Sequence, residues 1–296
     1  MMTRATARRG FTLIELMISL IVTAIVGGAL VRMVTSQARF MDQQQAWRGA
    51  RSVARGGINR LVSDLRIVEA RGGLEAAVAG GQDFTVRVPY AFGIVCTATT
   101  NTIIASLLPV DATMYAALGY SGFAVRRDDG TYDYYTSTNL TNPPAADVCP
   151  AAVFPDLPIT TMPAINGSPA GQQVTLVATL NPLTPMPKKG QILFLYRRIR
   201  YQFKNSTALP GRTGLFRTTL SNNVEEELAT PFANTARVNF YVLNNVAPQA
   251  GVPAPLSDTR GLELVLDGMS ERTPGGSTAP KTANVRTSVF FENRPD

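Results

Sequence analysis

Histidine is absent from this chain. That removes the commonest general base and the commonest metal ligand. Cysteine occurs twice, at Cys96 and Cys149, too far apart for a CxxC pair or a zinc-type spacing. No Walker-type loop, no GxGxxG opening a helix, no GxSxG and no HExxH occurs. These absences argue against a hydrolase, a zinc enzyme or a redox enzyme. The expectation is a non-enzymatic protein with no catalytic residues, no cofactor and no bound metal. Gly275-Gly276-Ser277-Thr278 lacks the GK[ST] core of a phosphate loop and sits in a Pro-flanked turn. Glu225-Glu226-Glu227 and Asp128-Asp129 read as solvated acidic turns rather than cation sites. Tyr132, Tyr134 and Tyr135, beside Arg126 and Arg127, read as strand packing before they read as a stacking platform for sugars or bases.

What is present is apolar and rich in turn formers. The 296 residues are 45% hydrophobic and 17% charged, the balance of an ordered chain with room for one large or two modest domains. With 24 glycines and 20 prolines, a strand-and-turn body is favoured over an all-helical one. The formal charge is +7, but Arg4, Arg8 and Arg9 carry three of those charges, which leaves +4 beyond residue 10. The remaining basic clusters, Arg126-Arg127, Lys188-Lys189 and Arg197-Arg198-Ile199-Arg200, are small. They argue against a nucleic-acid partner, and DNA stays an alternative rather than the expectation.

The N-terminus carries most of the information. Residues 1–10, MMTRATARRG, are short, basic and free of acid. Residues 11–34, FTLIELMISLIVTAIVGGALVRMV, are apolar except for small hydroxyl residues, Glu15 and Arg32. As a helix they would span roughly 36 Å, enough to cross a hydrocarbon core of about 30 Å. The arginines before the run should stay cytoplasmic and the remainder should face outward. A secretory signal would have a shorter apolar run and a small-x-small cleavage site. A plain signal anchor would leave Glu15 unexplained, since a carboxylate in hydrocarbon costs roughly 2.5–3.5 kcal/mol on insertion scales.

The segment Arg8-Arg9-Gly10-Phe11-Thr12-Leu13-Ile14-Glu15-Leu16, set between a basic leader and a bilayer-length apolar run, resembles the cleavage and methylation site of type IV prepilins. The resemblance implies that a prepilin peptidase cuts after Gly10 and that the new N-terminal residue, Phe11, is N-methylated. It implies that Glu15 neutralises the N-terminal amine of a neighbouring subunit during assembly. An amine and a carboxylate at one end of a membrane helix can pair, and a carboxylate in the first turn suits the helix dipole.

Beyond the membrane the helical period continues. Phe40, Trp47, Ala50, Ala54, Ile58, Leu61, Leu65 and Val68 recur at spacings of mostly three, four or seven, with Gln43, Gln44, Arg48, Arg51, Arg55, Asn59, Asp64 and Arg66 opposite. Phe40 and Trp47 are expected to touch the globular body. One element is predicted from Phe11 to about Arg71, stopped at Gly72-Gly73, with weak points at Gly27-Gly28, Gly49 and Gly56-Gly57. After Gly73, short strand-like runs follow at 84–88, 174–178, 191–196, 199–203, 238–243, 262–266 and 285–291, with a hairpin turn at Asp128-Asp129-Gly130. Strands joined without helices favour antiparallel pairing. The fold class is therefore α+β and pilin-like: a long N-terminal helix packed on an antiparallel sheet. The domain reading is a leader (1–10), a transmembrane and assembly helix (11–34), its amphipathic continuation (35–72) and a β-rich body (73–296) holding an irregular insertion at about 93–171.

A second resemblance lies in the C-terminal half. Arg198-Ile199-Arg200-Tyr201-Gln202-Phe203 followed by Gly214-Leu215-Phe216-Arg217 looks like a stretch of PilW-type minor pilins and of the related J pseudopilins of type II secretion. Residues 238–242 and 261–266 sit where those proteins have their next strands. At the end, Glu292 stands where those proteins often carry an arginine. The expected function is a minor type IV pilin that helps initiate the pilus or sits at its tip. The alternatives are a minor pseudopilin of type II secretion and a tip adhesin or DNA-uptake subunit. The implied partners are the prepilin peptidase, other major and minor pilins through the N-terminal helix, and the inner membrane before assembly. The implied location is a single-pass inner-membrane protein with its body in the periplasm, later at the cell surface.

Cys96 and Cys149 are expected to form a disulfide. Everything beyond the membrane helix lies on the oxidising side, only one intramolecular pairing exists, and the pair brackets the Thr/Pro-rich insertion. A loop of that size could be stabilised by roughly 4 kcal/mol on closure. Two separate buried thiols are the alternative.

Overall fold

The structure, a computed structural model, describes residues 12–107, 111, 114, 120–137, 140–141, 172–179, 182–243 and 245–291. One long helix, α1 (Leu13–Leu65), runs unbroken for 53 residues, about 80 Å. Its glycines at 27, 28, 49, 56 and 57 do not break it. The strands are β1 (Leu74–Ala77), β2 (Asp83–Ala98), β3 (Thr102–Leu107), β4 (Gly122–Arg126), β5 (Tyr132–Thr136), β6 (Leu140–Thr141), β7 (Gln172–Val177), β8 (Ile192–Asn205), β9 (Thr213–Thr219), β10 (Val224–Phe232), β11 (Arg237–Val242), β12 (Thr259–Met269) and β13 (Thr282–Phe290). These thirteen described strands form one sheet in the order β11-β12-β10-β9-β8-β2-β3-β7-β6, with β1 on β2, β13 on β12 and the β4–β5 hairpin on β8. Every pairing between them is antiparallel, so the long helix on an antiparallel sheet expected from the sequence is the fold.

The helix packs through small residues. Ala50, Ala54, Gly57, Leu61 and Leu65 are its buried positions, and β10, β12 and β13 are its main supports. A Cβ at Gly57 would lie 2.9 Å from Phe232 Cζ and 3.1 Å from Leu266 Cδ1. Across the contact, a Cβ at Gly268 would overlap the Ala50 carbonyl. Gly57, expected as a weak point, is instead a position where the sheet presses close on the helix. Phe40 and Trp47, expected in the core, are 61% and 43% exposed. The body does not reach that face of the helix, so the apolar period there has nothing to pack on.

The helix ends at Leu65, six residues before the expected Arg71. Val68, Glu69 and Ala70 turn in under the sheet and are buried, and Arg71 and Gly72 adopt left-handed φ of 55° and 114°. A Cβ at Gly72 would lie 2.7 Å from the Tyr134 ring, so glycine also lets the hairpin press onto this turn.

Two main cores share the sheet, beside a small third cluster of Ala124, Phe194 and Tyr196. The larger gathers Ala54, Leu61, Leu65 and Val68 against Phe84, Val86, Ile199, Tyr201, Phe240, Leu264 and Leu266. The second holds Val95, Ile103, Leu107, Phe123, Tyr135, Val174, Leu176, Leu193 and Leu195, with no residue from α1. Strands β2 and β8, paired from Asp83 opposite Gln202 to Ile94 opposite Ile192 with a bulge between Pro89 and Ala91, run through both. The sheet thus reaches well into the stretch expected as an irregular insertion. Residues Gly93–Ala98, β3, β4 and β5 are regular because their alternate apolar side chains meet those of β7 and β8. Residues 142–171 of that stretch lie outside the described residues.

Candidate functional site

The first turn of α1 is capped from within. Thr12 has extended backbone (φ −79°, ψ 148°), and its Oγ1 accepts the Glu15 backbone N–H at 3.4 Å. The Thr12 hydroxyl lies 3.5 Å from Glu15 Oε2. Thr12-Leu13-Ile14-Glu15 thus has the spacing of a capping box, a signal that the sequence itself carries. It places the Glu15 carboxylate, exposed, beside the orphan N–H groups and positive pole of the helix. Gly10 and Phe11 lie outside the described residues.

Above this turn the helix is apolar on every side and touches nothing. Leu13, Ile14, Leu16, Met17, Ile21, Ile25, Leu30 and Val34 are each more than half exposed. The hydroxyls in and just beyond the run are satisfied within the helix: Ser19 donates to the Leu16 carbonyl at 2.9 Å, Thr23 to the Ser19 carbonyl at 2.7 Å and Thr35 to the Val31 carbonyl at 2.9 Å. No polar group of the run except the Glu15 carboxylate is left needing water before Arg32. Among the described residues this is the one helix long and apolar enough to cross a membrane.

The far end of α1 is tied to the body by charge. Asp64, expected on the solvent face, is four-fifths buried and accepts Arg217 Nε–H at 3.0 Å and the Tyr201 hydroxyl. Arg217 also reaches Glu226 at 3.3 Å. Burial and then the Asp64 charge push the Tyr201 hydroxyl well above its ordinary pKa. For Arg217, burial pulls downward, but Asp64 and Tyr201 together more than offset it, so the guanidinium is held above its ordinary value. Tyr201 and Arg217 both belong to the stretch resembling PilW-type pilins, and the fold brings them onto one carboxylate.

The other candidate motifs are used up structurally. Glu225-Glu226-Glu227 is not a solvated turn but the start of β10, because each side chain has a partner on the neighbouring segments. Lys204 lies 2.7 Å from Glu225, and Glu227 accepts the Thr207 and Ala208 N–H groups at 3.0 and 3.1 Å. Asp128 is paired with Lys188 at 2.6 Å, and Arg127 is forked onto Asp133. The Tyr134 ring is held between Arg87, Phe194 and Tyr196, and Tyr135 stacks on Phe123. The Gly275 N–H points at the Asp42 carboxylate of α1, 2.5 Å away. Among the described residues no group of three or more Cys, Asp or Glu is placed to hold a metal ion. Cys96 is fully buried on β2, and Cys149 lies outside the described residues.

Residues 6–31 match the family model described as the prokaryotic N-terminal methylation motif. No curated protein and no solved structure matches the chain. The motif and the long apolar helix behind it make this N-terminus type IV prepilin-like. Such a motif implies processing by a prepilin peptidase and assembly with other pilins, and it supports a membrane-anchored protein of the pilin or pseudopilin kind.

Proposed function

We propose that the chain is a minor type IV pilin, cut after Gly10, methylated on Phe11 and recruited through Glu15, that helps initiate the pilus or sits at its tip. The observation that carries this reading is the division of α1. Its first half is apolar and uncovered, and its second half is clamped to a large sheet. A helix of that kind needs lipid before assembly and other apolar helices afterwards. With Glu15 one turn from the cut, the new ammonium of Phe11 and a carboxylate occupy the same end of the helix. A carboxylate from a neighbouring subunit lets both charges leave water paired. The body, with thirteen strands among its described residues, is bulky for one helix to carry, which suits a place at the filament end better than close repetition along a shaft.

The body then lies in the periplasm and later at the cell surface. A minor pseudopilin of type II secretion is the second reading, favoured by the same Tyr201 and Arg217 stretch. A DNA-uptake role resting on Arg126 and Arg127 is weakened by the Arg127–Asp133 pair. Co-purification of the full-length protein from membranes, with mass spectrometry of its partners, tests the proposal. Pilus subunits are the expected partners. Secretion subunits would select the second reading, and recovery of no pilin-like protein would overturn both.

A further inference from the structure

One face of α1 carries arginines and no acid. Beyond residue 34 the helix carries Arg39, Arg48, Arg51, Arg55 and Arg60 against two acids, Asp42 and Asp64. Both acids are engaged with the body, Asp42 by the Gly275 N–H and Asp64 by Arg217 and Tyr201. Arg48, Arg51 and Arg55 are exposed, and none has an ion pair among the described residues. Their spacings of three and four put them on one face. The Arg51 guanidinium lies 5.3 Å from the centre of the Trp47 ring, so Trp47 borders the same face. Met33, Phe40 and Trp47 follow one another at seven-residue intervals and are 58%, 61% and 43% exposed. An apolar line therefore leaves the membrane segment and runs beside a purely basic one.

We propose that this face of α1 docks against a helix of a different pilin-like subunit that presents acidic residues at the level of Arg48, Arg51 and Arg55. The inference rests on the pilin reading above and adds the chemistry of the partner. The apolar line is continuous with the segment through which pilin-like chains assemble, so a helix packed on residues 13–34 is carried onto Phe40 and Trp47. A second copy of this chain does not fit. Laid alongside in parallel it offers arginine to arginine, and its one acid between residues 35 and 63 is Asp42, already engaged with Gly275. Lipid headgroups do not fit either. Arg48 stands about 21 Å above residue 34 along the helix, and the headgroup layer is only about 5–8 Å deep. A nucleic acid would engage the arginines and leave Met33 and Phe40 in water. An acidic helix covers both lines at once, and like charges elsewhere on the shaft would be rejected.

The test places a photo-crosslinking amino acid at Gln44, exposed on this face, in the full-length chain in cells. A second variant carries it at Ile21 in the apolar segment. The expected adduct at Gln44 is a distinct prepilin-like subunit, joined at a helix residue within one turn of an Asp or Glu. The triple variant Arg48→Glu, Arg51→Glu, Arg55→Glu should lower that yield at least about tenfold. Reversing the partner's acid to lysine should restore it. Circular dichroism and thermal melting in detergent should show the triple variant folded, since all three side chains are exposed. Adducts with a second copy or with nucleic acid, or an unchanged yield in the triple variant, would overturn the inference. If Ile21 captures a pilin-like subunit and Gln44 does not, the inference falls and the proposed function stands. If neither captures one, both fall.

Discussion

Arg217 on β9 donates its Nε–H to the Asp64 carboxylate on α1 at 3.0 Å, and so joins the last turns of the helix to the middle of the sheet. Both side chains are about four-fifths buried. Removing one partner leaves the other charge desolvated and unmatched, whereas removing both leaves neither. Asp64→Asn and Arg217→Met are each expected to destabilise the full chain by about 1–3 kcal/mol. The double variant should cost less than the two together, with a coupling of roughly 0.5–3 kcal/mol. Urea unfolding in mild detergent measures this. Strictly additive losses would show that the pair is decorative.

The same site predicts behaviour in alkali. Burial, then the Asp64 charge, raises Tyr201, and burial comes first among the causes that raise Tyr134 and Tyr196. Folded-state pKa values above the unfolded value of about 10 mean that the folded chain keeps protons the unfolded chain loses. Stability from these groups is therefore complete below about pH 10 and drains away as the pH climbs further. Absorbance titration at the tyrosinate band should find these three of the nine tyrosines silent until the far-ultraviolet circular dichroism collapses. Ionisation of all nine near pH 10 in a still-folded protein would contradict the burial.

Neighbouring glycines should respond oppositely to the same change. Gly57→Ala pushes a methyl toward Phe232 and Leu266 and should cost about 1–3 kcal/mol. Gly56→Ala enters open space on the exposed side and should stabilise by about 0.5–1 kcal/mol through helix propensity alone. A pair of melting curves decides it. Equal effects would mean that the helix does not press on the sheet at Gly57.

The mature protein should begin at methylated Phe11, as read by mass spectrometry, and a bulky residue at position 10 should block the cut. Glu15→Ala should insert in the membrane at least as well as wild type, because it removes a carboxylate costing roughly 2.5–3.5 kcal/mol in hydrocarbon. Its recovery with other pilins should fall. Undiminished recovery would detach Glu15 from assembly.

Cys96 and Cys149 are proposed to be bridged. Thiol labelling of the unfolded, unreduced protein should find no reactive thiol, and two would refute the bridge. Reduction should loosen the region between them and leave α1 and β8–β13 in place, since those elements share the larger core.

Alternation and period made most of the fold legible. The runs at 84–88, 238–243, 262–266 and 285–291 lie within or closely overlap β2, β11, β12 and β13. What the sequence hid was partnership. Two strands, 191–196 and 199–203, are one, β8, because Arg197 is covered by the Tyr90 ring and Arg198 by Glu75 at 2.7 Å, so the basic break is not a break. The acidic triplet of β10 could not look like a strand until Lys204 and the 206–208 turn were beside it. Periodicity put Asp64 outside and Phe40 and Trp47 inside. It reports which residues share a face, not where along an 80 Å rod the body begins. At the N-terminus the motif needed no partner to be seen, and only the Thr12 cap was overlooked.

The contact between Gly275 and Asp42 is the lowest grip that a hydrogen bond of the body takes on the helix among the described residues. From Glu15 to Asp42 is about 40 Å of helix, whereas the hydrocarbon layer is about 30 Å thick. With Glu15 at one face of that layer, the grip rides about 10 Å clear of the other. In the proposed membrane placement, the β12–β13 loop would then set a stand-off height. Lengthening α1 by one turn below this contact would lift the whole body by about 5 Å, and shortening it by one turn would bring the loop about 5 Å nearer the headgroups.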